Sequence, residues 1–131
     1  MKVVDASGWL EYFGEGANAD LFAPAIEDVK ALIVPTLSLY EVFKHVLQQR
    51  GEGKALQAVA MMMEGRVVEL TAEIALAAAR LAAEMGLPMA DSVMLATARA
   101  YQAELWTQDA DLEGKPTVRY IARRERADGY G

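Results

Sequence analysis

Lys2-Val3-Val4-Asp5-Ala6-Ser7 is the segment that most constrains the architecture, because a short apolar run is followed at once by an acidic residue. Its first three residues predict a short buried strand. Apolar residues at helical spacing then predict a helix over Ser7–Phe13, which Gly14 and Gly16 end. An acidic residue between a strand and a helix is typical of the carboxyl edge of a parallel sheet, where ligands of α/β proteins bind.

The rest of the chain alternates strands with helices in the same way. Further strands are predicted at Leu32–Val34, Val67–Leu70 and Leu105–Thr107, with a weak edge strand at Val118–Ile121. The predicted helices cover Asn18–Val29 with a break at Pro24, Ser38 to near Gly51, Ala55–Met63, a helix capped by Thr71 that ends at Met85, and Ala90–Gln102. This order predicts a parallel sheet with helices on both faces.

A chain of 131 residues fits one compact domain. We expect residues 1–122 to form that domain and the polar segment 123–131 to be a mobile tail. Hydrophobic residues make up 53% of the chain and charged residues 24%, which supplies enough apolar content for a core and excludes wholesale disorder.

Composition also excludes several classes of site. The chain has no cysteine and one histidine, so disulfides, thiolate zinc sites, cysteine nucleophiles and multi-histidine zinc sites are excluded within one chain. No apolar run approaches the ~20 residues of a membrane span, and no signal-peptide segment is visible, so we expect a cytoplasmic protein. The net charge of −6 argues against binding nucleic acid by bulk electrostatics, although bound cations would reverse the local field.

Four acidic residues lie at or near predicted strand ends and helix starts. They are Asp5, Glu41, Asp91 and Asp109. If the fold gathers them, their charges repel one another unless a cation binds between them. Metal-assisted hydrolysis of phosphodiester bonds is therefore the first functional hypothesis.

Each acidic residue also has a purely structural interpretation. Asp5 is a possible N-cap of the first helix. Ser38 and Glu41 fit a capping box, in which the serine caps a helix and the glutamate reaches back to it. Asp91 lies in the first turn of its helix, where the helix dipole favours a negative charge.

Asp109 and Asp111 are possible turn residues. The run that they begin also starts like a calcium-binding EF-hand loop. Such a loop needs a glutamate at its twelfth position, where this sequence has Tyr120, so the EF-hand is disfavoured.

With these residues in place, the sequence resembles the PIN-domain family, and most of all its VapC-type toxins from toxin–antitoxin pairs. The resemblance covers almost the whole chain and keeps the order of four motifs. These are Val3-Val4-Asp5-Ala6-Ser7, Pro35 through Glu41-Val42, Leu87-Pro88-Met89-Ala90-Asp91 with Leu95-Ala96-Thr97-Ala98, and Trp106-Thr107-Gln108-Asp109-Ala110-Asp111.

The resemblance implies a three-layer α/β/α sandwich with a parallel sheet of four to five strands. It also implies an endoribonuclease that depends on Mg²⁺, with Mn²⁺ as a substitute. The matching positions assign catalysis and metal binding to Asp5, Glu41, Asp91 and Asp109, with Asp111 as an additional metal ligand and Ser7 as a hydroxyl that hydrogen-bonds a ligand.

The implied partners are an RNA substrate, an antitoxin that inserts a basic side chain among the acids, and a second copy of the chain. Val46, Leu47 and Met61–Met63 are candidates for the homodimer interface, although core packing explains them equally well. The residues Arg119, Arg123, Arg124 and Arg126 form a solvated edge and tail, or contact RNA.

Two features depart from the family pattern. Leu112 stands where an aromatic residue is common, and the segment after Ile121 is short of a final apolar strand. Two other functions also stay open: a PIN-domain nuclease that processes RNA without being a toxin, and a metal-free interaction module whose acidic residues cap helices.

Overall fold

The computed structural model of the protein describes residues 1–124, which contain five parallel strands. In chain order they are β1 (Lys2–Val4), β2 (Leu32–Pro35), β3 (Arg66–Val68), β4 (Glu104–Thr107) and β5 (Val118–Tyr120). The spatial order is β3-β2-β1-β4-β5. The first strand is therefore central, and the predicted parallel sheet and its weak edge strand are confirmed.

Six α-helices in the same residues cover the sheet. They are α1 (Ala6–Phe13), α2 (Ala19–Glu27), α3 (Thr36–Arg50), α4 (Glu52–Met62), α5 (Ala72–Met85) and α6 (Met89–Ala100). None of these described helices is both long and apolar enough to cross a membrane.

The three inner strands, β2, β1 and β4, are largely buried on both faces, which explains why they are apolar runs and not alternating patterns. Successive side chains of β1 point to opposite faces, so Val3 packs in the core under α5 and α6 while Val4 packs in the core under α1 to α4. The same alternation divides Leu105 from Trp106 on β4. These two cores make three layers, and the predicted α/β/α sandwich is confirmed.

The start of α3 differs from the predicted one. This helix begins at Thr36, directly after β2, and its N-cap is Pro35, which makes no side-chain capping bond. Ser38 therefore lies inside the first turn, where its hydroxyl donates to the carbonyl of Pro35 at 2.6 Å. The capping box of Ser38 and Glu41 is wrong, because Ser38 already has helical neighbours on both sides. The predicted cap at Thr71 is confirmed by its bond from the amide of Ile74.

Two of the candidate interface residues belong to the core. Val46 is 8% exposed and Met62 is fully buried, so neither is available to a partner chain. Leu47, Met61 and Met63 remain exposed. Val46 and Met62 lie on the inner sides of α3 and α4, two helices that pack against each other, and this explains the difference.

Of the predicted tail, residues 123–131, the structure describes only Arg123 and Arg124. Ile121 is half-buried and packs against the core under α1 to α4, and the chain is described as far as Arg124. Residues 125–131, which include most of the predicted tail and Arg126, lie outside the described residues.

We predict that Gly8→Ala destabilises the protein by about 1–3 kcal/mol, because the core at this point is already full. An added Cβ at Gly8 would lie 2.6 Å from both Phe22 Cε1 and Val4 Cγ1. Gly53 in the first turn of α4 has nothing within 4 Å of an added Cβ, so Gly53→Ala is the matched control. Urea unfolding at equilibrium measures both changes, and equal stabilities for the two variants would contradict the packing argument.

Candidate metal centre

The order of the strands brings the acidic residues to one edge of the sheet. Asp5 directly follows β1, and Asp109 follows the neighbouring strand β4 by two residues. Asp91 lies in the first turn of α6, and Glu41 lies in the second turn of α3. Parallel strands end at the same edge, so residues far apart in sequence share one region.

Three of the carboxylates form a compact group. Asp91, Asp109 and Asp111 each offer one oxygen atom, and these atoms all lie within 4.8 Å of one another. Asp91 is buried, Asp109 is half-buried and Asp111 is exposed, so the group opens to solvent on one side. This arrangement could hold a metal ion and still leave coordination positions open to water or a substrate.

Asp91 has the least favourable surroundings for a charged carboxylate. Its Oδ2 atom is buried without a hydrogen-bond partner among the described residues. The pKa of Asp91 is raised to about 8, first by burial, then by a hydrogen bond with the Asp109 carboxyl and by the charges of Asp109, Asp5 and Asp111. The position in the first turn of a helix would lower the pKa, so the helix dipole alone does not account for this residue. A bound cation would compensate both the burial and the repulsion.

Asp5 is held by three donors. Its Oδ1 atom accepts from the Ser7 hydroxyl at 2.6 Å and from the Gly8 amide at 3.1 Å. Its Oδ2 atom accepts from the Thr107 hydroxyl at 2.5 Å. Burial raises the pKa of Asp5, these hydrogen bonds lower it, and the charge of Asp109 raises it, with a net rise. Asp5 is therefore the N-cap of α1 and also part of the acidic edge.

Glu41 approaches the site from α3. Its carboxyl is half-buried, and its pKa is raised first by burial and then by the charge of Asp5. In the described part of the chain, Asp5 and Glu41 stand outside the compact group of three carboxylates. They add negative charge around that group.

Asp109 also has a local structural role. Its Oδ1 atom accepts from the amide of Asp111 at 2.9 Å, which caps a single 3-10 turn over Ala110–Leu112. Asp109 is thus both a turn residue, as one interpretation of the sequence predicted, and a member of the carboxylate group. The side chain of Leu112 is fully buried in the core under α5 and α6, where an aliphatic residue serves in place of an aromatic one.

Thr107 is a residue of the site that sequence reasoning did not single out. Its hydroxyl donates to Asp5 and accepts from the amide of Asp109 at 2.9 Å, so it links the ends of β1 and β4. The amide of Gln108 adds a second link by donating to the Ser7 hydroxyl at 3.1 Å. A threonine at the end of a strand, two residues before an acid, was the available signal.

A second buried network holds the loop after β4. Asn18, which is fully buried, donates to Gln108 Oε1 at 2.6 Å and to the carbonyl of Ala122 at 2.9 Å. Its own Oδ1 atom accepts from Arg124 Nε. Arg119 lies 4.6 Å from the ring centre of Trp106. Arg119 and Arg124 are exposed, as predicted, but each makes a specific contact and is not merely solvated.

No lysine or arginine among residues 1–124 forms an ion pair with the acidic edge. The single ion pair between described side chains joins Lys2 to Asp28, and Lys2 begins β1 at the opposite edge of the sheet. Residues 1–124 therefore leave the gathered carboxylates without a protein counterion. The set of donors and the orphaned oxygen of Asp91 fit a hard divalent cation.

The family model described as the PIN domain matches residues 2–116. The chain belongs to the PIN-domain family. The four motifs in the sequence, strands β1 to β4 and the acidic edge all lie within the matched residues.

Several solved structures share the fold of this PIN domain. A toxin–antitoxin complex from Klebsiella pneumoniae contains a chain 21% identical, with a TM-score of 0.77 over 96% of this chain and 100% of that chain. VapC20 from Mycobacterium tuberculosis, described as a sarcin–ricin loop cleaving toxin, is 17% identical, with a TM-score of 0.69 over 86% and 92%. A DNA-bound VapBC from Salmonella typhimurium is 12% identical, with a TM-score of 0.71 over 92% and 96%. At these identities the likeness shows the fold. No curated protein sequence matches the chain significantly.

We predict that the metal-free protein loses stability as pH rises from about 4 to about 8. The pKa of Asp91 is about 8 in the folded state against a model value of 3.8, so over this range the folded chain keeps a proton that the unfolded chain releases. One full proton corresponds to about 1.4 kcal/mol per pH unit, which is an upper limit here. Asp91→Asn should match the wild type near pH 4 and be more stable at pH 8.

Urea unfolding in EDTA across this pH range measures the effect. Asp20→Asn is the control for the same chemical change, since Asp20 is an exposed residue of α2. If wild type and Asp91→Asn lose stability in parallel as the pH rises, the burial of a protonated Asp91 is disproved.

We predict that Thr107→Val destabilises the protein by about 1–3 kcal/mol although the side chain keeps its size. The change removes a donor to Asp5 and an acceptor for the amide of Asp109, both at a fully buried position. Thr107→Ser keeps the hydroxyl and loses one methyl group, so it should be the more stable of the two variants. A Thr107→Val protein as stable as Thr107→Ser would show that these bonds contribute nothing net.

Proposed function

We propose that this PIN domain is an endoribonuclease that depends on Mg²⁺, with Mn²⁺ as a substitute, and that it is the toxin of a VapBC-type pair. The observation that carries the proposal is the orphaned, buried Oδ2 atom of Asp91 within a group of three carboxylates. Membership of the PIN-domain family supports it. So does the likeness of the fold to VapC20, which is described as a toxin that cleaves the sarcin–ricin loop.

The acidic residues divide into two roles. Asp91, Asp109 and Asp111 would hold the ion, since one oxygen atom from each already lies within 4.8 Å of the others. Asp5 and Glu41 complete the negative field on the side of β1 and α3. When bound, the divalent ion supplies Lewis-acid chemistry for phosphodiester hydrolysis, by making water more acidic and neutralising charge on the phosphate.

The chain's own groups keep the acidic edge in place. Ser7, Gly8 and Thr107 fix the carboxylate of Asp5, and Thr107 also fixes the backbone of Asp109. With a pKa of about 8, the Asp91 carboxyl is mostly protonated at neutral pH. A carboxyl must be deprotonated to bind a metal ion, so Asp91 would release this proton when the ion binds. No side-chain nucleophile is needed, in keeping with a chain that has no cysteine.

The proposed protein partner is an antitoxin that places a basic side chain among the acids. The lack of any lysine or arginine partner for these carboxylates within residues 1–124 supports this, because an inserted guanidinium would find unpaired acceptors. The likeness of the fold to chains from toxin–antitoxin complexes supports it too. A nuclease that processes RNA without an antitoxin is the alternative, and it would use the same acidic residues.

A homodimer is part of the same proposal. Val46 and Met62 are buried in the core and are no longer candidates for its interface. The remaining candidates are the exposed Leu47, Met61 and Met63. Their exposed fractions, between 40% and 54%, leave enough apolar surface for burial against a second copy.

We predict that purified protein cuts RNA from a panel of structured RNAs with Mg²⁺ or Mn²⁺ but not with EDTA. Asp91→Asn should lower the cleavage rate by at least about 100-fold, because it removes a ligand of the ion. Asp20→Asn, which lies outside the acidic edge, should cut at the wild-type rate. Gel analysis of end-labelled RNAs measures all three proteins.

The same samples separate this function from a metal-free interaction module. Mn²⁺ should raise the melting temperature of the wild type and of Asp20→Asn, and should raise that of Asp91→Asn much less. Equal cleavage by Asp91→Asn would identify a contaminating nuclease. A wild type that is neither stabilised by Mn²⁺ nor active on any RNA would favour the interaction module.

A further inference from the structure

Tyr40 stands out among the aromatic residues because it is left in water. It is 62% exposed, and no other phenylalanine, tryptophan or tyrosine in residues 1–124 is exposed. It belongs to neither core, unlike its neighbours Leu39 and Phe43, which pack against the core under α1 to α4. Its ring therefore contributes little to folding.

Tyr40 is the sequence neighbour of a residue of the acidic edge. The next residue is Glu41, whose pKa is raised in part by the charge of Asp5. Both residues lie early in α3, which begins at the end of β2 where the acids gather. The exposed ring is thus one residue away from a carboxylate of the site.

Lys44 completes this surface. Its Nζ atom lies 5.9 Å from the centre of the Tyr40 ring, one helical turn along α3. Lys44 is also one turn from Glu41, yet it forms no ion pair with any described residue. A cation that lies on an aromatic ring next to an acidic site can still contact a phosphate.

We propose that Tyr40 and Lys44 form a subsite for one unpaired nucleotide next to the bond that is cut, with the base stacked on the Tyr40 ring and its phosphate contacted by Lys44. The inference rests on the proposed function for the presence of a scissile bond. It adds the residues that select the substrate, and it favours unpaired RNA over a duplex. Bases splayed out of loops and single strands stack on aromatic side chains, whereas bases in a duplex are hidden.

The net charge of the chain favours such a local subsite. At −6 the protein repels a polyanion as a whole, and the acidic edge repels it most. Stacking does not depend on charge, and a single lysine beside the ring offsets part of the local field. Tyr40 and Lys44 would therefore contribute favourable binding free energy, whereas the net charge of the protein opposes RNA binding.

The test measures RNA binding in an Asp91→Asn background with Mg²⁺ present, so that cleavage does not interfere. The probe is a fluorescently labelled pool of random 12-nucleotide single-stranded RNA, and anisotropy gives the dissociation constant. Adding Tyr40→Ala should weaken binding about tenfold, which lies within the range for one stacked base. Tyr40→Phe keeps the ring and should stay within about twofold of the parent. Lys44→Ala should weaken binding and lower the salt slope by about one.

Leu76→Ala is the matched control, since Leu76 is 63% exposed on α5 and belongs to neither core. It should bind RNA like the parent. Unlabelled single strands should also compete better than the same pool annealed to its complement. Random RNA that carries 5-iodouridine should cross-link to Tyr40.

Equal affinities for Tyr40→Ala and its parent, whether both bind or neither does, would overturn the proposal and leave the exposed ring to a protein partner. Equal competition by duplex and single strands would overturn the choice of unpaired RNA. The two proposals fail in distinguishable ways. RNA binding through Tyr40 by a protein that never cleaves would disprove the proposed function and leave Tyr40 and Lys44 as a binding site only, whereas metal-dependent cleavage with unchanged Tyr40→Ala binding would disprove this inference alone.

Discussion

Repulsion between carboxylates at one edge of a parallel sheet is the constraint on which the site of this protein depends. In the sheet order, the ends of β1 and β4 lie side by side. The carboxylates of Asp5 and Asp109 are therefore close enough to repel each other. Asp91 adds a third, buried carboxyl whose Oδ2 atom has no hydrogen-bond partner among the described residues. A folded domain tolerates this arrangement through hydrogen-bond donors, protonation or a bound cation. The stability of the chain and its proposed chemistry therefore depend on the same interaction.

Asp5 and Asp91 show two ways of accommodating a buried acid. Asp5 is surrounded by donors, from Ser7, Gly8 and Thr107, and these hydrogen bonds oppose the effect of burial on its pKa. Asp91 has no such donors, and its pKa rises to about 8. The first carboxylate is fixed in direction by the protein itself. The second is free to take a new partner, which is the property expected of a metal ligand.

An acidic protein needs local attractive contacts to bind RNA, because its net charge repels a polyanion. Residues 1–124 contain three gathered carboxylates that could hold a metal ion, and an exposed ring with a lysine beside it on α3. A bound ion at the first place and the lysine at the second would each compensate the net charge of −6 over a short distance. Binding of this kind would be weak for RNA in general and stronger for RNA that offers an unpaired base at the proposed site. Selectivity would then follow from the shape of the substrate more than from charge.

Local patterns in the sequence were sufficient for the order of strands and helices, for the place of Asp5 after β1, and for the cap at Thr71. These features depend on residues only a few positions apart, whose periodicity and hydrogen bonds are visible in one stretch of chain. The same reasoning gave a wrong capping box at Ser38, because the start of α3 depends on where β2 ends. The bond between Thr107 and Asp5 joins residues 102 positions apart. It exists because β1 and β4 became neighbours, and that pairing is settled by packing across the whole sheet, which no local pattern encodes.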